Sequence, residues 1–239
     1  MSKIVVGWMY PNLLNLHGER GSVQKLVQIG AQLGVEVEVR RIEDFDDPID
    51  FEALDMLMFL PGEITVFRHL VPALDRQRQA LDRYLEKGGY VLAIGTTGLM
   101  FGKNILREDG STLQGLGYLD MTAKERKYVW GDDMHVRLAD GQELIGSQIM
   151  MADVDVAAPM SQVLYGRGNN GTGGDGARRG NLIYTNCLGP LFVKNPWFAE
   201  SILRDICKNK GIEITGEADH KIAKDSFEST LRFIKKKMQ

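Results

Sequence analysis

The stretch Leu92-Ala93-Ile94-Gly95-Thr96-Thr97-Gly98-Leu99-Met100-Phe101-Gly102 has the layout of a nucleophile elbow. An apolar strand runs into small residues and then into a short helical pattern, so a sharp turn can lift one side chain to the carboxyl edge of a sheet. The adjoining helix N-terminus would stabilise negative charge there. A nucleophile at the tip needs an oxygen or a sulfur. The tip, directly after the strand, is Gly95, which has neither. Thr96 and Thr97 carry hydroxyls but sit past the tip, and no base can be named for them. None of His17, His69, His135 and His220 has a serine or cysteine close by in sequence.

Other motifs offer less. Gly166-Arg167-Gly168-Asn169-Asn170-Gly171 matches G-x-G-x-x-G, but the dinucleotide fingerprint needs a helix to follow, and Thr172-Gly173-Gly174-Asp175-Gly176 cannot start one. A flexible surface loop is the expectation there, and the sequon Asn170-Gly171-Thr172 is idle without secretion. Asp132, Asp133 and His135 fit no standard metal spacing and read as a charged turn before a strand. Glu43, Asp44, Asp46 and Asp47 read as a solvated acidic loop. Cys187 and Cys207 make neither a disulfide framework nor a zinc site; Cys207 reads as core and Cys187 as a strand residue.

The elements that must position these residues follow from periodicity. The chain has 239 residues, 44% of them hydrophobic and 26% charged, with a net charge of −3, the profile of an ordinary globular domain without the basic excess of a general nucleic-acid binder. No apolar run reaches the roughly 20 residues of a membrane span. The opening Met1-Ser2-Lys3, broken soon by Pro11, is no signal peptide. A reduced, cytoplasmic protein is expected. Strands are expected at residues 3–8, 35–40 (an alternating edge), 56–60 and 90–94. A helix capped by Ser22 and a long helix from Leu70 to the Gly88-Gly89 stop separate them. That is a β-α-β, β-α-β order, hence a doubly wound parallel sheet. Short strands near 118–122, 134–138, 143–151, 163–165 and 182–185 are expected to be antiparallel and to extend or cap that sheet. Helices after Pro196 and at about 220–237 close a single domain spanning 1–239, and Lys235-Lys236-Lys237 suits a solvated helix C-terminus.

Four further stretches carry a resemblance: Leu14-Asn15-Leu16-His17-Gly18-Glu19-Arg20-Gly21, Leu113-Gln114-Gly115-Leu116-Gly117-Tyr118-Leu119-Asp120, Tyr165-Gly166-Arg167-Gly168-Asn169-Asn170, and Gly189-Pro190-Leu191 with Lys194-Asn195-Pro196. In order and spacing they resemble L-N-L-Y-G-D-x-G, L-x-G-L-G-x-L-D, Y-G-x-G-N-N and G-P-L-x-x-K-N-P of the class I glutamine amidotransferases of the cobyric-acid-synthase (CobB/CobQ) type. Within that family the match is to the GatD type of glutaminase subunit, which works with a Mur-ligase-like subunit in lipid II amidation. The resemblance covers roughly residues 3 to 215. It implies a flavodoxin-like α/β fold, no cofactor, no metal, and a protein partner.

The chain departs from the family at the chemistry. The family elbow L-A-I-C-G-G-Y-Q is here Leu92-Ala93-Ile94-Gly95-Thr96-Thr97-Gly98-Leu99, so Gly95 stands for the cysteine and Leu99 for the glutamine. Y-L-H-G-P is Asn186-Cys187-Leu188-Gly189-Pro190, so Leu188 stands for the histidine. The oxyanion stretch F-I-G-G-G is Phe59-Leu60-Pro61-Gly62-Glu63, and Pro61 has no N–H. The resemblance thus implies a pseudoenzyme: a non-hydrolytic partner or regulatory subunit of a Mur-ligase-like enzyme in cell-wall precursor amidation. An active glutaminase subunit and a small-molecule sensor using the old pocket are the alternatives. Leu99 and Leu188 are expected to meet across the sheet edge. Loops 14–21 and 189–196, which packing does not obviously explain, offer Arg20 and Lys194 as partner contacts.

Overall fold

A computed structural model of the chain describes residues 3–46 and 48–239, so Met1, Ser2 and the Asp47 of the expected acidic loop lie outside the described residues. The main sheet contains β1 (Lys3–Met9), β2 (Glu36–Ile42), β3 (Met56–Phe59), β4 (Tyr90–Ile94), β11 (Ala177–Arg179) and β12 (Leu182–Thr185), in the order β11-β12-β4-β3-β1-β2. All its neighbours are parallel except β11 with β12. This is the expected doubly wound α/β core, with the alternating β2 at its edge. One correction concerns β12: it is a parallel strand beside β4, not an antiparallel addition.

Side chains alternate between the two faces, as a buried parallel sheet requires. Val5, Leu57, Phe59, Val91, Ala93 and Tyr184 face one cluster, which includes α2 (Phe67–Asp75) and α3 (Arg78–Glu86). Ile4, Val6, Met58, Leu92, Ile94 and Ile183 face the other, with α1 (Arg20–Gln32) and α5 (Pro196–Lys210). Helices α2 and α3 replace the single long helix expected. The break falls at residues 76–77, where the Gln77 N–H takes the Leu74 carbonyl in a tighter turn and the Gln77 side chain accepts from the Ile49 N–H at 2.6 Å. Helix α1 starts at Arg20, so Ser22 lies inside it rather than capping it.

The remaining antiparallel strands form a second sheet rather than an extension of the first. It is built on β7 (Met121–Leu138) and β8 (Glu143–Val156), joined by the turn at 139–142, with β5 (Asn104–Leu106), β6 (Thr112–Gln114), β9 (Ser161–Tyr165) and β10 (Gly174–Asp175) around them. The separate expectations at 118–122 and 134–138 are therefore two ends of one strand. A bulge between Glu125 and Trp130 bends it: Glu125 pairs Ala152 and Trp130 pairs Met150, leaving four residues opposite Met151. The two ends serve different faces, Met121 and Ala123 in one cluster and Met134 and Val136 in the other.

Two helices complete the described residues, α4 (Leu191–Lys194) and α6 (Lys221–Lys237). Helix α6 lies over the second sheet, where Phe227 meets His135 and Trp197 edge-on at ring distances of 6.0 and 5.4 Å. Lys237 is not merely solvated: it pairs Asp132 at 2.7 Å and Asp133 at 2.8 Å. Those aspartates and His135 lie within β7, not in a turn before it, and no group of three metal-ligating side chains occurs among the described residues. No helix of these residues is long and apolar enough to cross a membrane.

Candidate functional site

Strand β4 ends at Ile94, and the chain turns at once into a 3-10 turn, Gly95–Phe101, at the carboxyl edge of the main sheet. Gly95 holds φ +64°, a conformation that glycine adopts without the Cβ penalty of other residues. The elbow backbone is therefore present. Its shape is held by the two threonines. Thr97 is buried, with its hydroxyl 3.0 Å from the carbonyls of Ile94 and Phe59. Thr96 Oγ1 donates to the Gly62 carbonyl at 2.5 Å and accepts the Gly62 N–H at 3.2 Å. The Gly62 N–H, the donor next to Pro61, is thus already satisfied within the chain. No hydrogen bond joins either threonine hydroxyl to a histidine or a carboxylate among the described residues; both bond to backbone groups instead.

The space above Gly95 is narrow and lined by apolar atoms. A Cβ at this position would stand 3.1 Å from Leu188 Cδ2 and 3.4 and 3.5 Å from the Pro61 ring. Leu188 is buried and held by a two-way bridge to Ser147 of β8, N–H to carbonyl at 2.8 and 2.9 Å. Gly146 admits this close approach, since a Cβ there would run into the Leu188 carbonyl and stand 2.6 Å from Cys187 Sγ. The structure thus brings Gly95, Pro61 and Leu188 together. Leu99, expected to meet Leu188, does not: it packs in the cluster on the opposite face of the sheet. The 3-10 turn carries it past the edge and down that face. Cys187 lies beyond β12, fully buried, and burial beside Asp175 and Glu19 pushes its thiol well above the ordinary range, the opposite of a reactive cysteine.

Polar bonds fix the backbone on either side of Leu188. Upstream, the Asp175 carboxylate accepts from Asn186 Nδ2 and Thr185 Oγ1, both at 2.8 Å. Asn186 also donates to Asn169 Oδ1 at 3.1 Å and accepts the Tyr184 hydroxyl at 2.8 Å. Asn169 in turn exchanges two bonds with the Gly176 backbone. Within the 166–171 segment Gly168 and Asn169 are thus buried and brace the site, while Gly166 and Gly171 stay exposed, so the expected surface loop is anchored at its centre. Downstream, Glu19 accepts the Gly189 N–H at 2.5 Å, the Leu191 N–H at 3.1 Å and Ser22 Oγ at 2.9 Å. Burial raises the carboxyl pKa of both Asp175 and Glu19 against these bonds. Glu19 therefore ties loops 14–21 and 189–196 to each other, a packing role that the sequence reading did not see.

Arg20 is exposed at the start of α1. Lys194 is half-buried at the end of α4, near enough to Glu19 for its charge to lower the carboxyl pKa. Sequence reasoning also missed the neighbourhood of His17. The Leu16 N–H donates to the Pro61 carbonyl at 3.0 Å, so the loop carrying His17, itself at φ +59°, lies against the Pro61 segment. Partial burial lowers the His17 pKa, and the Glu63 charge works the other way.

No known family model matches the chain. It is 24% identical over 213 residues to subunit GatD of the glutamine-hydrolyzing lipid II isoglutaminyl synthase of Streptococcus pneumoniae, covering 86% of this chain and 81% of the relative. It is 24% identical over 226 residues to the GatD subunit of Staphylococcus aureus, covering 92% and 93%. Among solved structures it is similar to a glutamine amidotransferase (14% identity, 84% and 98% of the two chains, TM-score 0.53) and to PurLQS from Thermotoga maritima (12%, 87% and 99%, TM-score 0.55). It is also similar to the glutaminase domain of Trypanosoma brucei CTPS with bound acivicin (8%, 90% and 97%, TM-score 0.54). The chain has the glutamine amidotransferase fold and is GatD-like in sequence.

Proposed function

We propose that the chain is a GatD-like subunit that has lost the Cys–His pair and works without hydrolysing glutamine, as the partner of a Mur-ligase-like enzyme in lipid II amidation. The observation that carries this reading is the apolar lining over Gly95: the nucleophile position has no side chain, and the groups that stand 3.1–3.5 Å from where its Cβ would be are those of Leu188 and Pro61, neither of which can take a proton. A thiolate and the imidazole that takes its proton are useless singly, so their joint absence removes the covalent route. The bonding of Thr96 and Thr97 supports the same reading against an active glutaminase. With no nucleophile at the elbow, the remaining selectable property is binding, and a standard interface would cover roughly 800 Å² of this chain.

The test measures ammonia release from glutamine by the purified chain, alone and with its co-purifying ligase. The expected rate is about 10⁶-fold below that of an intact relative. Release above blank that Thr96→Val or Thr97→Val abolishes would overturn the proposal. For the partner, Arg20→Glu should weaken association while the thermal midpoint stays nearly unchanged. Lys194, although it borders the same surface, is the poorer probe, because reversing its charge would set a carboxylate beside Glu19. If no ligase-like protein binds the chain at micromolar concentration, the subunit reading fails.

A further inference from the structure

Nine large hydrophobic side chains are exposed among the described residues, and four lie on the bulge of β7 or at the end of α6: Tyr128 (74% exposed), Val129 (62%), Phe233 (54%) and Met238 (62%). These places are joined by contacts. Lys237 lies over the Phe233 and Tyr165 rings at 5.0 and 5.8 Å and pairs Asp132 and Asp133, which fastens the end of α6 to the sheet. Two residues on from Tyr165, Arg167 shares Asp153 with Arg126 of the bulge, at 3.0 and 2.8 Å. Lys127, over the Tyr128 ring at 5.8 Å, completes the run. Arg126, Lys127, Arg167 and Lys237 stand among Asp132, Asp133 and Asp153, and Lys235 and Lys236 extend the positive charge at the end of α6, on a chain whose overall charge is −3. Lys127, Lys235 and Lys236 have no ion pair among the described residues.

We propose that this face docks onto an anionic phospholipid surface. The proposal concerns a different region from the elbow and does not depend on the partner reading. The shape favours a lipid surface over a ligand or peptide, because the bulge places four residues opposite one and so projects the apolar side chains from the sheet rather than lining a groove. Aromatic and aliphatic side chains that are more than half exposed beside unpaired lysines suit the headgroup level, where rings enter the boundary and ammonium groups stay among phosphates. An acidic chain is repelled by an anionic membrane everywhere except at such a patch, so the same charges also set its orientation. The ion pairs through Asp132, Asp133 and Asp153 hold both contributing elements in place before contact, so little ordering remains to oppose binding.

The experiment is flotation of the full chain with vesicles of phosphatidylcholine alone and of phosphatidylcholine with phosphatidylglycerol, at near-physiological salt. Binding is expected with phosphatidylglycerol only, weakening as salt rises. Removing one lysine charge should weaken it about fivefold, and Lys127→Gln with Lys235→Gln and Lys236→Gln together about 100-fold. Tyr128→Ser with Val129→Ser should abolish flotation while leaving the thermal midpoint intact. The proposal is overturned if the wild type fails to float, if it floats equally with both vesicles, or if these variants float like the wild type. It is also overturned if the lysine variants release the ligase and the wild type binds no vesicle, which would assign the face to a protein. Association with the ligase and its sensitivity to Arg20→Glu are read in parallel, so either proposal can fail while the other stands.

Discussion

The middle and the two ends of the 186–191 segment are held by different forces. At the ends, Asp175 and Glu19 accept buried N–H and O–H donors, among them the backbone N–H groups of Asn186, Gly189 and Leu191. In the middle, Leu188 packs on Gly95 and Pro61 with no polar side-chain bond. The backbone that would present a side chain at position 188 to an elbow is thus braced at a cost in carboxylate burial, whereas position 95 carries no side chain and position 188 an apolar one. Framework and chemistry are separable at this site, because the polar ties reach backbone groups that any residue at 188 would have.

The largest effect expected on this contrast is at the ends. Glu19→Ala leaves the Gly189 and Leu191 N–H groups and Ser22 without their acceptor, and should cost about 3 kcal/mol, read as a lower urea midpoint at constant slope. A cost below about 1 kcal/mol would mean that the brace is not what holds the segment.

The middle can be probed at the elbow itself. Gly95→Ala must adopt φ +64° and press on Leu188, so a loss of about 2 kcal/mol is expected, part of it conformational. In a Leu188→Ala background the packing part should vanish and the conformational part remain, giving a coupling of about 0.5–1 kcal/mol in a double-mutant cycle. Strict additivity would place the two side chains out of contact.

The smallest effect is in pH. Asp175 has its folded pKa raised by burial, so the folded state binds the extra proton in the window above the ordinary carboxylate value. Stability then falls as pH rises through that window and stays lower above it. In Asp175→Asn this component is absent. The gap between the urea midpoints of wild type and variant should therefore change as pH rises above the ordinary carboxylate value of about 4, in the direction of a wild type relatively better off in acid. A constant gap would place the raised pKa elsewhere.

Local pattern carried the main sheet. Four apolar or alternating runs separated by helical spacing required a doubly wound order, and the edge position of β2 could be read from its alternating Glu and Arg residues. What pattern could not carry was long-range pairing. Residues 118–122 and 134–138 read as separate strands because the charged bulge between them breaks the alternation, although β8 pairs with both. The 76–77 break escaped for a similar reason, since Gln77 is needed by Ile49, 28 residues away. At the site, the elbow was a local strand-to-turn signal, whereas Pro61 and Leu188 could be set opposite it only through the family resemblance. The wrong side of Leu99 came from treating a 3-10 turn as a regular helix. Glu19 stood in a matched motif without its role being legible, and Asp175 gave no signal, since most of their partners lie elsewhere in the chain and include backbone groups.

The ribbon of β7 and β8 crosses from one core cluster to the other, with Ala123 and Val154 in the first and Val136 and Leu144 in the second. Solvent therefore cannot reach one cluster without peeling the strands that wall the other. The molecule is therefore expected to open as a single unit. Protected amides of β1, β4, β7 and β8 should then exchange with one common free energy, equal to that of global unfolding. A protein built this way would offer proteases no half-open form.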